Sequence, residues 1–523
     1  MSRTQLSRRE WLKSTTALTL ATAGSALLVR RGHAVDDEDQ GVTDIGAHRE
    51  LFVDDALIDR LTAGAARRLH HPRPQEVVLK HDQAWEGSGS GYHSVFQDGD
   101  SYRMYYKAWH LEATEGRLDS GRHPLFCCYA ESQDGIHWQK PALGLVEFEG
   151  SKQNNIVLAS GDLNGANVDA GHPAVFKDGN PDAPTASRYK AIVRSRKPKG
   201  LYVLGSPDGL HWTPLSKQPV ITDGAFDSQN LAFWDPMLGQ YRAYWRIFSD
   251  GKRAIRTAVS DDFIHWRSHL DVEYADSPAE HLYTNQVKPY YRAPQLLIGF
   301  PTRYVDRGWS DSTSLLPDRE HRELRASSVQ RYGTAITEGL LMVSRDGVHF
   351  DRWNEAFLRP GIQRPGTWHY GHQYIAWHAV ETKSAFAGAP PELSLYASES
   401  YWTNPGSELR RYTLRLDGFV SVNAPMSGGE LVTKPVKFAG SELRLNFASS
   451  AAGGILVELQ DAAGKALPGY GRDDCQVVFG DDTDRLVTWK QGADLSKLQS
   501  LPVRLRFEMR DADLYAFRFH AES

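Results

Sequence analysis

Ser132-Gln133-Asp134-Gly135-Ile136-His137-Trp138 returns three times along the chain, as Ser206-Pro207-Asp208-Gly209-Leu210-His211-Trp212, Ser260-Asp261-Asp262-Phe263-Ile264-His265-Trp266 and Ser344-Arg345-Asp346-Gly347-Val348-His349-Phe350. The copies begin 74, 54 and 84 residues apart, too unevenly for a tight solenoid but suitably for propeller blades with loops of different length. Each reads as a hairpin. Asp-Gly makes the tight turn, the carboxylate accepts turn amides, and the closing aromatic wedges between neighbouring sheets. These Asp, His and aromatic residues are therefore architecture, and chemistry is to be sought elsewhere.

Two further signatures stand upstream of the copies. Val95-Phe96-Gln97-Asp98-Gly99, Val175-Phe176-Lys177-Asp178-Gly179 and Ala232-Phe233-Trp234-Asp235-Pro236 read as strands running into turns, and Tyr102-Arg103-Met104, Tyr189-Lys190-Ala191 and Tyr241-Arg242-Ala243 begin the strands that follow. The unit is a four-stranded antiparallel blade, with copies at 90–150, 170–218, 227–270 and 280–358. A fifth is expected at 368–424, its Asp turn replaced by Ser398-Glu399-Ser400-Tyr401-Trp402, and 49–55 is expected as an extra strand that closes the ring. After Met426 the texture changes to short alternating strands such as Leu443-Arg444-Leu445-Asn446-Phe447 with one Trp, the pattern of a separate β-sandwich. The fold class is all-β: a five-bladed β-propeller over 35–424 followed by a C-terminal β-sandwich over 425–523. The Ser-, Asp- and Arg-rich stretch 308–330 reads as an insertion of blade four that overhangs the propeller mouth.

Residues 1–34 read as a targeting segment. Ser7-Arg8-Arg9-Glu10-Trp11-Leu12-Lys13 resembles a twin-arginine export signal, followed by an apolar run and Gly32-His33-Ala34 at the cleavage position. The protein is thus expected in the periplasm or outside the cell, with no membrane span in the mature chain. Removing 1–34 leaves 54 basic and 64 acidic side chains, and no basic tract is interleaved with aromatics, which excludes nucleic acid as a partner. Cys127, Cys128 and Cys475 do not make a disulfide framework, so packing must supply the stability.

The repeated Ser-x-Asp-x-x-His-Trp turn, the strand pattern and the sandwich tail resemble the five-bladed propeller glycoside hydrolases, the superfamily of families 32, 43, 68, 117 and 130. Propeller plus sandwich is similar to family 32 along the whole mature chain. The Asn-Asp-Pro-Asn, Arg-Asp-Pro and Glu-Cys segments of that family do not stand in this sequence, and Asp235 reads as a turn residue. The resemblance implies an exported enzyme that hydrolyses a plant or algal poly- or oligosaccharide with a carboxylate pair at the propeller mouth. Two alternatives stand beside it: a carbohydrate-binding propeller without catalysis, and a family 130-like phosphorylase. The latter is disfavoured because little phosphate is met outside the cell and no basic phosphate cradle can be placed in the sequence.

In a propeller the first strand of each blade lines the axis, and a small-molecule site forms where those strands begin. The polar residues ahead of the inner strands are Trp85, Glu86, Tyr92 and His93; His172; Asp227, Gln229 and Asn230; Glu280, Tyr283 and Asn285; and His369 and His372. Glycoside hydrolysis requires one carboxyl to assist departure and one to attack or activate water. Asp227 is assigned base or nucleophile, Glu280 general acid, and Glu86 third acid or hydroxyl-binding group; the ordinary readings are a loop cap and exposed loop charges. Trp85 would stack on a sugar or fill the core. His93, His172, His369 and His372 would ligate a single divalent cation on the axis or hydrogen-bond to hydroxyls. Arg246 and Arg303 suit an anionic substituent of the carbohydrate, or surface ion pairs.

Overall fold

The computed structural model describes residues 41–121, 123–403 and 406–520, so the export segment expected at 1–34 lies outside the described residues. Five sheets radiate from one axis. From the axis outward, blade one orders Gly91–Asp98, Ser101–Ala108, Phe126–Ser132 and Trp138–Gln139; blade two Ala166–Lys177, Tyr189–Arg196, Lys199–Ser206 and Thr213–Pro214; and blade three Leu231–Asp235, Gln240–Ser249, Lys252–Ser260 and Trp266–Asp271. Blade four orders Lys288–Tyr290, Ala293–Gly299, Met342–Ser344 and His349–Arg352. Blade five runs Val380–Thr382, Glu392–Glu399 and Glu408–Arg415, and its outermost strand is Arg73–Lys80. The protein is a five-bladed β-propeller.

The repeated turn behaves as its chemistry dictates. In the second copy Asp208 Oδ1 accepts the amides of Leu210 at 2.8 Å and His211 at 2.9 Å, and Ser206 Oγ donates to the same oxygen. His211 Nδ1 lies 2.7 Å from Asp208 Oδ2, and the corresponding His–Asp contacts recur in the other copies. Each turn packs on the preceding blade. Tyr396 of blade five donates to Gly135 O, and Tyr244 of blade three donates to Gly347 O. Trp138 meets Tyr396 edge-on, and Trp212 meets Tyr105 likewise.

Two details differ from the sequence reading. Ring closure comes from Arg73–Lys80 pairing antiparallel with Glu408–Arg415, not from 49–55, of which Glu50–Leu51 pairs with Val503–His520 in the C-terminal sheet. The turn that replaces the repeat in blade five is Asp417-Gly418, because it follows the third strand, whereas 398–402 follows the second. Asp417 keeps the inter-blade contact, accepting a hydrogen bond from Tyr290 of blade four at 2.8 Å.

The C-terminal region is one ten-stranded sheet, in which the long strands Glu442–Asp461 and Val503–His520 pair along most of their length. Alternate residues on both, including Leu443, Leu445, Phe447, Val457, Leu505 and Phe507, enter a single core, as expected of a sheet folded on itself. Thr43–Gly46, Ile58–Thr62, Ala66–Leu69 and Val420–Ala424 belong to this sheet as well. The blade-four insertion carries the helix Arg319–Ser328, which reaches the blade-one hairpin Glu112–Thr114/Arg117–Asp119, where the Gly116 amide donates to Ser327 Oγ at 2.8 Å. Among the described residues no helix is long and apolar enough to cross a membrane.

Candidate active site

A cleft of about 1360 Å³ opens at the end of the axis where the inner strands begin. Local irregularities aim side chains into it. The pairing register of blade one shifts between Gly91 and Ser94, and Tyr92 takes a left-handed φ of 52°. That conformation costs roughly 1–2 kcal/mol in a non-glycine residue and is sustained here by packing of the ring against His172 and Tyr374. Blade two shifts register between Asp169 and Ala174, which brings His172 to the cleft. Gly171 permits the bend, since a Cβ there would lie 2.6 Å from Leu125. In blade three the Asn230 amide donates to Phe226 O and Ser228 O, pinning the loop whose apex is Asp227.

Asp227 projects into the cleft with 65% of its side chain exposed. His172 Nε2 lies 3.3 Å from its Oδ1 and Arg194 Nη1 donates to that oxygen at 2.7 Å. The contact with His172, joined by the charges of Arg194 and Arg246, outweighs desolvation and holds the carboxyl well below the usual carboxylate range. On the other side of His172, Nδ1 is 3.1 Å from Asp169 Oδ1. Burial raises the Asp169 pKa, but His172, Arg194 and Arg196 together depress it further. The two carboxyls lining the cleft among the described residues are thus both ionised, and neither supplies a proton.

A proton source lies in blade one. Lys107, buried on the second strand, donates to Tyr401 Oη at 2.9 Å, and its Nζ is 4.6 Å from the Tyr92 ring centroid and 4.8 Å from that of Trp109. Burial lowers its pKa to about 7, with Asp227 and Asp169 pulling the other way. Burial pushes the Tyr401 phenol well above its ordinary value, so it stays protonated. Around this pair, Tyr401 stacks on Trp402 at 5.5 Å, Tyr370 packs edge-on to Trp402 at 4.9 Å, and the Tyr370 hydroxyl donates to that of Tyr283. Such an aromatic floor offers stacking faces with hydroxyls at their edges, which suits a sugar ring.

Of the residues singled out in the sequence, Tyr92, His172, Asp227, Arg246 and Tyr283 line the cleft together. The other two acids do not join Asp227. Glu86 is fully buried in blade one, accepting from Tyr106 Oη at 2.6 Å and Lys140 Nζ at 2.7 Å. Glu280 pairs with Arg303 at 3.3 Å and Arg352 at 3.1 Å, and Arg303 is further engaged by Glu338. Trp85 packs on Phe148 and donates to Asn155 Oδ1. Gln229 is an axial stitch, and Asn230 and Asn285 bind backbone beside their own loops. The histidines diverge: His93 Nε2 is 3.0 Å from His81 Nε2, His369 bridges Arg325 and Asp318, and His372 accepts the Trp368 amide. Among the described residues no three His, Cys, Asp or Glu side chains converge as a metal site.

Sequence reasoning passed over Asp169, Lys107, Arg194, Arg253, Tyr401 and Trp402. Asp169 carried a signal, standing three residues before His172. The absence of a basic cradle is also overturned: eight Lys and Arg side chains line the cleft, and apart from Arg194 and Arg196 none has a carboxylate partner among the described residues.

No family model matches the sequence. Two Mycobacterium tuberculosis proteins, the uncharacterized protein MT1551 of strain CDC 1551 / Oshkosh and the uncharacterized protein Rv1502 of strain ATCC 25618 / H37Rv, are each 31% identical over 151 residues. That match covers 29% of this chain, which spans 40% of the length of these relatives. Among solved structures, BT0996 in an RGII complex is 12% identical with a TM-score of 0.40, covering 66% of this chain and 92% of that one. A GH130 glycoside hydrolase that targets β-1,2-mannosidic linkages in Candida mannan is 12% identical at 0.40, covering 68% and 94%. A fructofuranosidase of Schwanniomyces occidentalis, complexed with fructosylnystose, is 14% identical at 0.35, covering 85% and 98%.

Proposed function

We propose that the protein is an exported glycoside hydrolase that cleaves its substrate in the axial cleft. The observation that carries this reading is Asp227, an accessible carboxylate kept ionised by His172 and Arg194 above an aromatic floor. In the reaction, Asp227 takes a proton from water as the water oxygen bonds to the anomeric carbon. The glycosidic C–O bond breaks, and its oxygen receives a proton from the Lys107 ammonium, directly or through the Tyr401 hydroxyl. This proton donor replaces the second carboxyl assigned from the sequence. Removing one acid–base group in such a mechanism costs about 10²–10⁴-fold in rate.

The test is turnover of a panel of plant and algal glycans by the mature protein, beside Asp227→Asn and Lys107→Met. Loss of at least about 10²-fold in kcat for both variants is expected. Full turnover in Asp227→Asn would refute the assignment, and binding of glycans by the wild type without any turnover would favour a carbohydrate-binding propeller.

A further inference from the structure

The proposed reaction assigns no substrate contact to a pair of cations that line the cleft. Arg246, on Gln240–Ser249, and Arg253, on Lys252–Ser260, both stand over the Tyr283 ring, their guanidinium carbons 5.2 and 5.1 Å from its centroid. Neither makes an ion pair with a carboxylate among the described residues, and Arg246 acts on Asp227 only through its charge. Arg246 is 6% exposed and spends its Nε on the Ala225 carbonyl. Arg253 faces His281 Nδ1 at 3.4 Å, and its buried Nε has no hydrogen-bond partner. Two like charges held against one aromatic ring repel each other, and an unmade bond on a buried charged donor is costly. Cation–π attraction offsets part of that cost, and an oxyanion between the guanidiniums would offset the rest.

We infer that Arg246 and Arg253 form an oxyanion subsite that takes a carboxylate or sulfate carried on the sugar. The substrate class is then a uronic-acid-containing or sulfated glycan, an assignment that rests on the proposed glycan-cleaving cleft. Asp227 lines the same cleft as Arg246 and Arg253. A sugar held there by its acidic group therefore brings its ring to the catalytic carboxylate. Guanidinium forks match carboxylate and sulfate geometry in two-point contacts, which a lysine ammonium does not reproduce.

Calorimetric titration of the mature protein with glucuronate, galacturonate, glucose 6-sulfate, glucose and inorganic phosphate tests this independently of turnover. The acidic sugars should bind at least about tenfold more tightly than glucose, and Arg253→Gln and Arg246→Gln should each weaken them about 10- to 100-fold, with Arg253→Lys restoring only part. Equal binding of glucose and the acidic sugars, or unchanged binding in both glutamine variants, overturns the inference. Phosphate binding tighter than that of every acidic sugar, with sugar 1-phosphate released from a glycan, overturns it in favour of a free anion as co-substrate. Acidic-sugar binding without turnover of any glycan would sink the hydrolase and leave the subsite standing; turnover of neutral glycans without acidic-sugar binding would do the reverse.

Discussion

The charge on Lys107 is set by what faces it: Tyr92, Trp109 and Tyr401 at contact, His93 behind, and Asp169 and Asp227 across the cleft. Burial wins, and the folded pKa falls to about 7 against 10.5 for an ordinary lysine. Between these values the unfolded protein holds a proton that the folded one does not, so stability rises with pH across that window and a penalty builds as pH falls toward 7. Wild-type protein should therefore gain thermal stability relative to Lys107→Met from pH 7 to pH 10, and a difference that stays flat over that range would show an ordinary lysine. As proton donor it should also give kcat an alkaline limb beginning near pH 7, absent in the variant. No sequence signal marked this residue, because Lys107 stands next to last in the strand Ser101–Ala108, where nothing local records its burial, and its partner Tyr401 is 294 positions away. Tyr92, His172, Asp227 and Tyr283 were legible because topology alone places them at the mouth, and Arg246 because its guanidinium suits an anionic group. Glu86 and Glu280 were legible only as acids, since the groups that occupy them, Lys140 and Arg352 among others, come from positions far along the sequence.

The Asp turn was readable for the opposite reason, being closed within seven residues. Asp208 satisfies two amides and an imidazole, and its glycine seats on blade one, where a Cβ would lie 2.4 Å from Tyr105 Oη. Burial raises its pKa and the His211 amide and ring lower it further, so the net shift is downward. Its stabilisation is present above about pH 4 and lost as pH falls below that. Because the carboxylate is 44% exposed, Asp208→Ala should cost only about 1 kcal/mol, read as a lower urea midpoint at pH 7 with the gap narrower at pH 3. A larger contribution sits on the axis. The Gln229 amide donates to Tyr92 O at 2.9 Å and Pro173 O at 3.0 Å and accepts from Gln286, which donates also to Ile375 O, so five blades meet in one network. Gln229→Leu leaves buried carbonyls unpaired and should cost about 2–4 kcal/mol, read in the same urea experiment. Gln229 stood among the candidate site residues because a polar residue just ahead of an inner strand has two uses, and only the positions of the other blades distinguish them.

That an N-terminal strand closes the ring was legible, but which one was not, because the pairing of Arg73–Lys80 with Glu408–Arg415 joins distant parts of the sequence and no local pattern records a partner. The same N-terminal segment ties the propeller to the C-terminal sheet. Before reaching blade five it contributes four strands and the side chains of Ile45, Phe52 and Leu57 to the C-terminal core, with Phe52 packed on Phe507 at 6.5 Å and on Phe517 at 5.8 Å. Burying each such side chain is worth about 1.5–3 kcal/mol, so withholding all three removes roughly 5–9 kcal/mol. A domain of this size has about 5–15 kcal/mol in total. Residues 425–523 expressed alone also lose Val420–Ala424 and leave the edges of Gly429–Thr433 and Val436–Phe438 without their partners. Exposed edges of that kind template aggregation. The fragment should show no cooperative thermal transition by circular dichroism, and a synthetic peptide of residues 41–72 added in excess should restore one by binding the folded form. A sharp, reversible melt of 425–523 without the peptide would mean that the N-terminal strands decorate the sheet instead of completing its core.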